Sequence, residues 1–203
     1  MNLKSTNVKF VYSLAESGEI GGVVEYVPDF ITPAEHHGLL EQIDRQPWLT
    51  ILKRRVQHYG YMYSYKRRTV DTSMHLGELP VWADEIARRL YKERFIKALP
   101  DQVIVNEYQP GQGIAKHIDC LSCFTDTIIS LSLGSTCVMD FIHQTKGVKK
   151  SILLEPRSLT ILRDEARYEW LHGIATRKSD RYQDQLLIRR RRVSLTFRKV
   201  ILL

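Results

Sequence analysis

The chain has 203 residues, 43% of them hydrophobic and 26% charged, and a formal net charge of +7. Those values describe a globular protein with one well-buried core and exclude a disordered chain, while the basic excess suits a polyanion such as nucleic acid. No apolar run reaches the ~18 residues of a membrane span and residues 1–20 hold no signal-peptide core. Three cysteines in that setting point to a reducing intracellular compartment, the cytoplasm or a nucleus, and away from a disulfide framework.

In chain order, residues 22–27 (GVVEYV) read as a short strand closed by Pro28. TPAEHHGLLEQIDRQP at 32–47 reads as a helix: Thr32 caps it, Pro33 fits its first turn, Glu35 completes a capping box and Pro47 ends it. Residues 52–70 look extended, with Tyr59, Tyr61, Tyr63 and Tyr65 alternating about Gly60. LPVWADEIARRLYKER at 79–94 is a second amphipathic helix, with Val81, Ile86 and Leu90 spaced to face a core. After Pro100 the period changes to two. DQVIVNEY, AKHID, TIISLSLGS, CVMDFI, SILLEP, SLTILRD, YEWLHGI and VSLTFRKVILL are short strands punctuated by Gly, Pro or Asp. Two helices followed by such a run describe an α+β domain built on an antiparallel β-sandwich or jelly roll.

Residues two apart on an extended segment share a face, so His117 and Asp119 point together. Alone, H-x-D is equally the pattern of a solvated strand. His172 lies 53 positions beyond Asp119 at the end of another strand-like run and supplies a second imidazole. Two imidazoles and one carboxylate on neighbouring strands form the facial triad of non-haem Fe(II) oxygenases, which leaves coordination positions open. His36, His37, His58, His75 and His143 lack this context and read as surface or packing residues. In RVSLTFR, Arg192, Ser194, Thr196 and Arg198 share one face and Val193, Leu195 and Phe197 the other, so two arginines suited to carboxylates can point into a polar pocket. Arg189, Arg190 and Arg191 read as a solvated basic edge. In residues 53–68 (KRRVQHYGYMYSYKRR), basic ends and interleaved tyrosines can meet phosphates and stack on a base, or the tyrosines can simply pack. Cys120 and Cys123 lack a second ligand pair for zinc and read as incidental thiols beside the pocket.

H-x-D…H with R-x5-R resembles the AlkB family of Fe(II)/2-oxoglutarate dioxygenases. The likeness extends to N-x-Y-x-P-G at 106–111, SLSLGS and MDF at 130–141, RYEWLHGI at 167–174 and SLTFRKV at 194–200. It covers residues 20–203 and is nearest in wording to the branch containing the tRNA-wobble hydroxylase, without that branch's RNA-recognition and methyltransferase domains. The resemblance implies a double-stranded β-helix (jelly-roll) core with the helices packed outside and a substrate lid hairpin. It implies one dioxygenase domain over 1–203: an extension with helices and nucleotide lid in 1–100, and the catalytic jelly roll in 101–203. His117, Asp119 and His172 would hold Fe(II). Tyr108 and Arg192 would hold the distal carboxylate of 2-oxoglutarate, and Asn106 and Arg198 the chelating end. Ser194 stands where the bacterial archetype has an asparagine, and Leu121 where it has an acid that touches the damaged base. Tyr61 and Tyr63 would face the substrate, with Arg54 and Arg55 toward its phosphates. The implied reaction uses O2 and 2-oxoglutarate to demethylate alkylated bases in DNA or RNA, with release of formaldehyde, succinate and CO2. The alternatives are hydroxylation of a modified wobble uridine in tRNA, or a catalytically silent nucleic-acid-binding module. A monomer without a membrane partner is expected.

Overall fold

The structure, a computed structural model, describes residues 9–13 and 23–202. Its elements are β1 (Phe10–Ser13), β2 (Val23–Val27), α1 (Pro33–Asp44), β3 (Arg55–Tyr59), a 3-10 turn (Thr72–Met74), α2 (Val81–Lys92), β4 (Gln102–Tyr108), β5 (Ile114–His117), β6 (Ile128–Gly134), β7 (Cys137–His143), β8 (Lys149–Leu154), β9 (Leu159–Leu162), α3 (Asp164–Tyr168), β10 (Trp170–Ile174), β11 (Ser179–Tyr182), β12 (Gln185–Ile188) and β13 (Arg192–Arg198). Gly22, the first residue of the expected opening strand, lies outside the described residues.

The start of α1 is set locally. The Glu35 amide donates to the Thr32 hydroxyl at 3.2 Å, and the Glu35 carboxylate accepts from the Thr32 amide at 2.6 Å. Two otherwise orphaned amides are thereby satisfied, with Pro33 where no donor is needed. α2 has no side-chain cap, and Ala83, Ile86, Ala87 and Leu90 form its buried stripe; Val81, expected on the core face, sits at the helix start and is exposed.

A seven-stranded sheet runs in the order β1-β2-β9-β6-β13-β4-β3 and a four-stranded sheet in the order β5-β10-β7-β8. All their pairings are antiparallel. The result is the jelly roll with its helices outside. Period-two alternation gives the large sheet two uses. Val103 and Val105 of β4, Leu131 and Leu133 of β6, and Val193, Leu195 and Phe197 of β13 pack beneath α1 and α2. On the opposite face, Tyr26, Tyr108 and Leu162 meet Phe141, Ile152 and Trp170 of the small sheet. Burial of that size supplies the main favourable term of folding, on the order of 1.5–3 kcal/mol per large apolar side chain.

Three further features of the backbone depart from the sequence reading. The segment read as extended to residue 70 is a strand only over Arg55–Tyr59; beyond Gly60 it is a loop closed by single bridges, Tyr61 to His75 and Ser64 to Thr69. A short helix, α3, precedes β10. β11 and β12 form a separate two-stranded ribbon within the run that carries the supposed basic edge. Gly60 is the pivot from strand to loop: its φ is +74°, and a Cβ there would lie 1.9 Å from the Asp101 carbonyl oxygen. A side chain at that position meets both the left-handed penalty and an immovable backbone atom. We expect Gly60→Ala to lower stability by at least ~1–3 kcal/mol in urea unfolding; an unchanged midpoint would mean that the turn is not rigidly set.

Candidate metal centre and co-substrate pocket

A cavity of about 670 Å³ opens between the two sheets. The register of β5 and β10 brings His117 directly opposite His172, with ring centroids 4.5 Å apart. Asp119 lies two residues beyond His117, just past the strand end, and its Oδ2 is 3.4 Å from His172 Nε2. One ligand atom from each of the three residues falls within 4.8 Å of the others. This spacing admits one small cation.

The protonation pattern suits a metal. His117 Nδ1 lies 2.8 Å from the Ala115 carbonyl, an acceptor only, so Nδ1 carries the proton and Nε2 keeps its lone pair. Burial, reinforced by the His172 ring, pushes the His117 pKa down to about 4 and keeps the imidazole neutral. Burial acts upward on Asp119, but the Arg198 guanidinium and the imidazoles outweigh it and hold the carboxyl well below the usual carboxylate range. Arg198 Nη2 binds Oδ1 at 2.7 Å, which leaves Oδ2 turned toward the histidines. A neutral imidazole at His117 and an ionised carboxylate at Asp119 are ligand forms a divalent ion needs.

β13 supplies the remaining polar wall. Paired with β4 and β6, it sets Arg192 beside Tyr108 and Gly134, and Ser194 beside Asn106 and Ser132. Arg192 is 3% exposed. Its Nη2 donates to the Ser132 hydroxyl at 3.0 Å, whereas Nε and Nη1 have no protein partner. Its guanidinium lies 5.4 Å from the centre of the Tyr108 ring. Burial pushes the Tyr108 pKa up, so the phenol stays protonated and able to donate. An orphaned guanidinium fork beside a buried phenol fits one carboxylate; Arg198 and the triad lie along the same cavity. Fe(II) and 2-oxoglutarate fit this donor set.

The substrate-side expectations divide. Tyr63 lines the cavity and Tyr65 joins it, their rings 5.1 Å apart. Tyr61 is not in the lining; it packs on His75 at 4.8 Å. Arg54 reaches inward rather than toward solvent: its Nε donates to Asn106 Oδ1 at 2.8 Å, and its guanidinium sits over Tyr108. Arg55 points to the opposite face of β3, where it grips Glu107 with two hydrogen bonds of 2.6 and 2.7 Å. Leu121 is on the cavity wall and 53% exposed.

Several residues read as bland are engaged. Arg191 binds both Glu107 and Asp44, and Arg189 is buried against Asp180, so neither is a solvated edge. Cys120 and Cys123 are joined in a disulfide, contrary to the expectation of free thiols, because the turn after Asp119 brings their Cα atoms to 5.3 Å. Spacing and compartment reasoning carry no information on that turn. Their sulfurs lie 3.3 and 3.5 Å from the Arg68 carbonyl of the lid loop.

Among the described residues one other group, His143, Glu165 and Glu169, has metal-like spacing. There the amides of Thr145 and Lys146 both donate to His143 Nδ1 at 3.2 Å, so the proton resides on Nε2, the atom that faces the carboxylates. That tautomer donates hydrogen bonds and does not ligate.

Residues 45–198 match the family model described as the 2OG-Fe(II) oxygenase superfamily. An Arabidopsis thaliana protein named alkylated DNA repair protein ALKBH8 homolog is 41% identical over 197 residues, covering 86% of this chain and 57% of that protein. The mouse tRNA (carboxymethyluridine(34)-5-O)-methyltransferase ALKBH8 is 42% identical over 198 residues, covering 86% of this chain and 30% of that protein. The chain thus spans little more than half of the first relative and under a third of the second. The solved structure of OsALKBH1 superposes with a TM-score of 0.66 over 89% of this chain and 98% of that one, at 14% identity, a likeness of fold.

Removal of the orphaned guanidinium should weaken co-substrate binding while the triad stays intact. Arg192→Met is expected to raise the Kd for 2-oxoglutarate on the order of 10–100-fold, measured by anaerobic titration of the visible band of the Fe(II) complex. The affinity for Fe(II) itself should stay near that of the wild type. Unchanged 2-oxoglutarate affinity would remove Arg192 from the pocket's carboxylate site.

Proposed function

The chain belongs to the AlkB family of 2OG-Fe(II) oxygenases, and from that premise we propose that it oxidises a C–H bond on a modified base presented by a nucleic-acid strand. Held by His117, Asp119 and His172, Fe(II) would supply activation of O2 coupled to oxidative decarboxylation of 2-oxoglutarate. One oxygen atom ends in succinate and the other in the substrate, and CO2 is released. The protein's share is placement and exclusion of water. His117, Asp119 and His172 hold the ion on one side, Arg192 and Tyr108 anchor the far carboxylate, and Tyr63 and Tyr65 offer aromatic faces against which a base can stack.

The observation that carries the substrate reading is the sign of charge around the cavity. Arg54, Arg68, Lys116, Arg192 and Arg198 line it, against the single carboxylate of Asp119. The two charges of Fe(II) and the two of 2-oxoglutarate cancel, so the positive excess persists in the loaded site. Such a wall attracts phosphates. It repels bases made cationic by alkylation, and with leucine at position 121 no acid other than Asp119 lines the cavity among the described residues. An uncharged base, or one with an acidic substituent, fits better. We therefore place hydroxylation at carbon of a modified wobble uridine in tRNA first. The mouse relative, named for carboxymethyluridine 34 of tRNA, supports that reading.

Oxidative demethylation of an uncharged N-methylated base is the second reading, supported by the Arabidopsis relative named for alkylated DNA. The same oxygen insertion on an N-methyl group gives a hydroxymethyl amine that expels formaldehyde. A panel of modified tRNA, methylated RNA and methylated DNA separates the two. Hydroxylated nucleoside without formaldehyde is expected from the tRNA; formaldehyde from the methylated strands, with the tRNA unchanged, would reverse the order.

Charge at the rim gives a further test. Leu121→Asp should raise kcat/KM for a strand bearing a cationic methylated base by about tenfold, the effect of ~1.4 kcal/mol of added ionic stabilisation, and lower it for an acidic uridine. Equal change in both would mean that position 121 does not face the substrate.

A further inference from the structure

Arg167 has the chemistry of a functional arginine without touching any ligand position. It lies on α3 and is 2% exposed. Among the described residues no carboxylate forms an ion pair with it, although Asp119 attracts it through space. Nη1 donates to the main-chain carbonyl of Asp119 at 2.9 Å, and Nη2 donates to that of Cys120 at 3.1 Å. Nε has no partner, and the guanidinium lies 5.3 Å from the Tyr168 ring centre. A cation buried with only neutral acceptors is unfavourable compared with an apolar side chain of similar volume. Simple space-filling therefore does not explain it.

The carbonyls it grips explain more. Asp119 is the carboxylate of the triad and sits beyond the end of β5, where no sheet hydrogen bonds fix its backbone. Arg198 fixes one oxygen of its side chain but not the main chain that carries it. The fork of Arg167 holds two successive peptide groups with its two Nη donors, and the Cys120–Cys123 bridge closes the same turn. Arg167 also stands five residues before His172, with the start of β10 between them. The segment that carries the second imidazole thus grips the backbone that carries the carboxylate.

We propose that Arg167 is a positioning residue for the metal centre: by clamping the Asp119 and Cys120 carbonyls it sets the distance and direction of Asp119 Oδ2 relative to His172. This rests on the reading of His117, Asp119 and His172 as the metal ligands. Outer contacts that orient a ligand typically change metal affinity by about 10–100-fold.

The test uses the full chain, Co(II) in place of Fe(II), and three variants. Arg167→Met should weaken Co(II) by roughly 10–100-fold and alter its visible ligand-field spectrum. Arg167→Lys, which keeps the charge but lacks the planar fork that fits two successive carbonyls, should recover part of the affinity and lie about threefold to tenfold below the wild type. Thermal unfolding of the metal-free proteins, run alongside, reports any general loss of stability. If Arg167→Met melts lower yet binds Co(II) within about twofold of the wild type with the same spectrum, the residue only packs and the proposal is overturned. Should Arg167→Met not fold, Arg167→Lys decides alone, since wild-type affinity and spectrum there would overturn it equally. His117→Ala guards the premise. It should abolish Co(II) binding, and if it does not, the triad reading fails and not the clamp.

Discussion

Two guanidinium groups held inside a β-sandwich govern much of this structure. Arg192 and Arg198 lie in the lumen because Val193, Leu195 and Phe197, on the alternate face of β13, are pinned beneath the helices. A slip of one residue would turn three apolar side chains into the polar cavity and push both arginines into the core. Burial on the helix side therefore fixes the register, and the interior charges follow from it. β4 and β6 are bonded to β13 residue for residue, so Asn106, Tyr108 and Ser132 are carried to the same lumen. A hydrophobic constraint on one face has positioned a polar site on the other.

Interior charge then needs partners, and the two arginines find different ones. Arg198 has Asp119 at 2.7 Å, whereas Arg192 has a hydroxyl and an aromatic ring. A charge-assisted pair withstands burial; a guanidinium with two orphaned donors does not sit there without a penalty unless an anion completes it. A dicarboxylate that reached the candidate metal centre with one end and Arg192 with the other would resolve this. Asp119 is the shared element. One oxygen neutralises Arg198 and the other faces the histidines, so a single carboxylate links the arginine wall to the metal centre.

Much of this was legible because it is local or periodic. The capping box at Thr32 and Glu35 involves neighbours on one helix turn, and the parity of Arg192 to Arg198 follows from the pleat alone. The pairing of H-x-D with a distant histidine came from chemistry: those three residue types form a known ligand set. What escaped depends on tertiary neighbours. Whether Arg54 or Arg55 faces the cavity turns on which side of β3 is covered. Arg191 looks like a solvated charge until Asp44, 147 residues away in sequence, is brought against it. Arg167 sits in a motif quoted for its histidine, and nothing in spacing reveals that its donors meet main-chain carbonyls. The 179–188 ribbon was obscured by charged residues that turn out to pair with one another, Asp180 taking both Arg177 and Arg189.

The position of Arg54 bears on how the two halves of the site cooperate. β3 is the edge strand of the large sheet and pairs with β4, the strand that carries Asn106 and Tyr108. Just before β3, Arg54 binds Asn106 and stacks over Tyr108; just after it, Gly60 turns the chain into the loop bearing Tyr63 and Tyr65. At the loop's far side the Arg68 carbonyl rests on the disulfide that follows Asp119. The loop bearing Tyr63 and Tyr65 is therefore tied at one end to Asn106 and Tyr108 and at the other to the turn after Asp119. Ordering of either anchor would reduce the freedom of the loop between them, so a ligand that engages Arg54 or Tyr108 would lower the entropy still to be lost when a second ligand meets Tyr63 and Tyr65. Arg54 belongs to that coupling, which leaves Arg68 and Lys116 as the cations on the cavity wall best able to meet the strand itself.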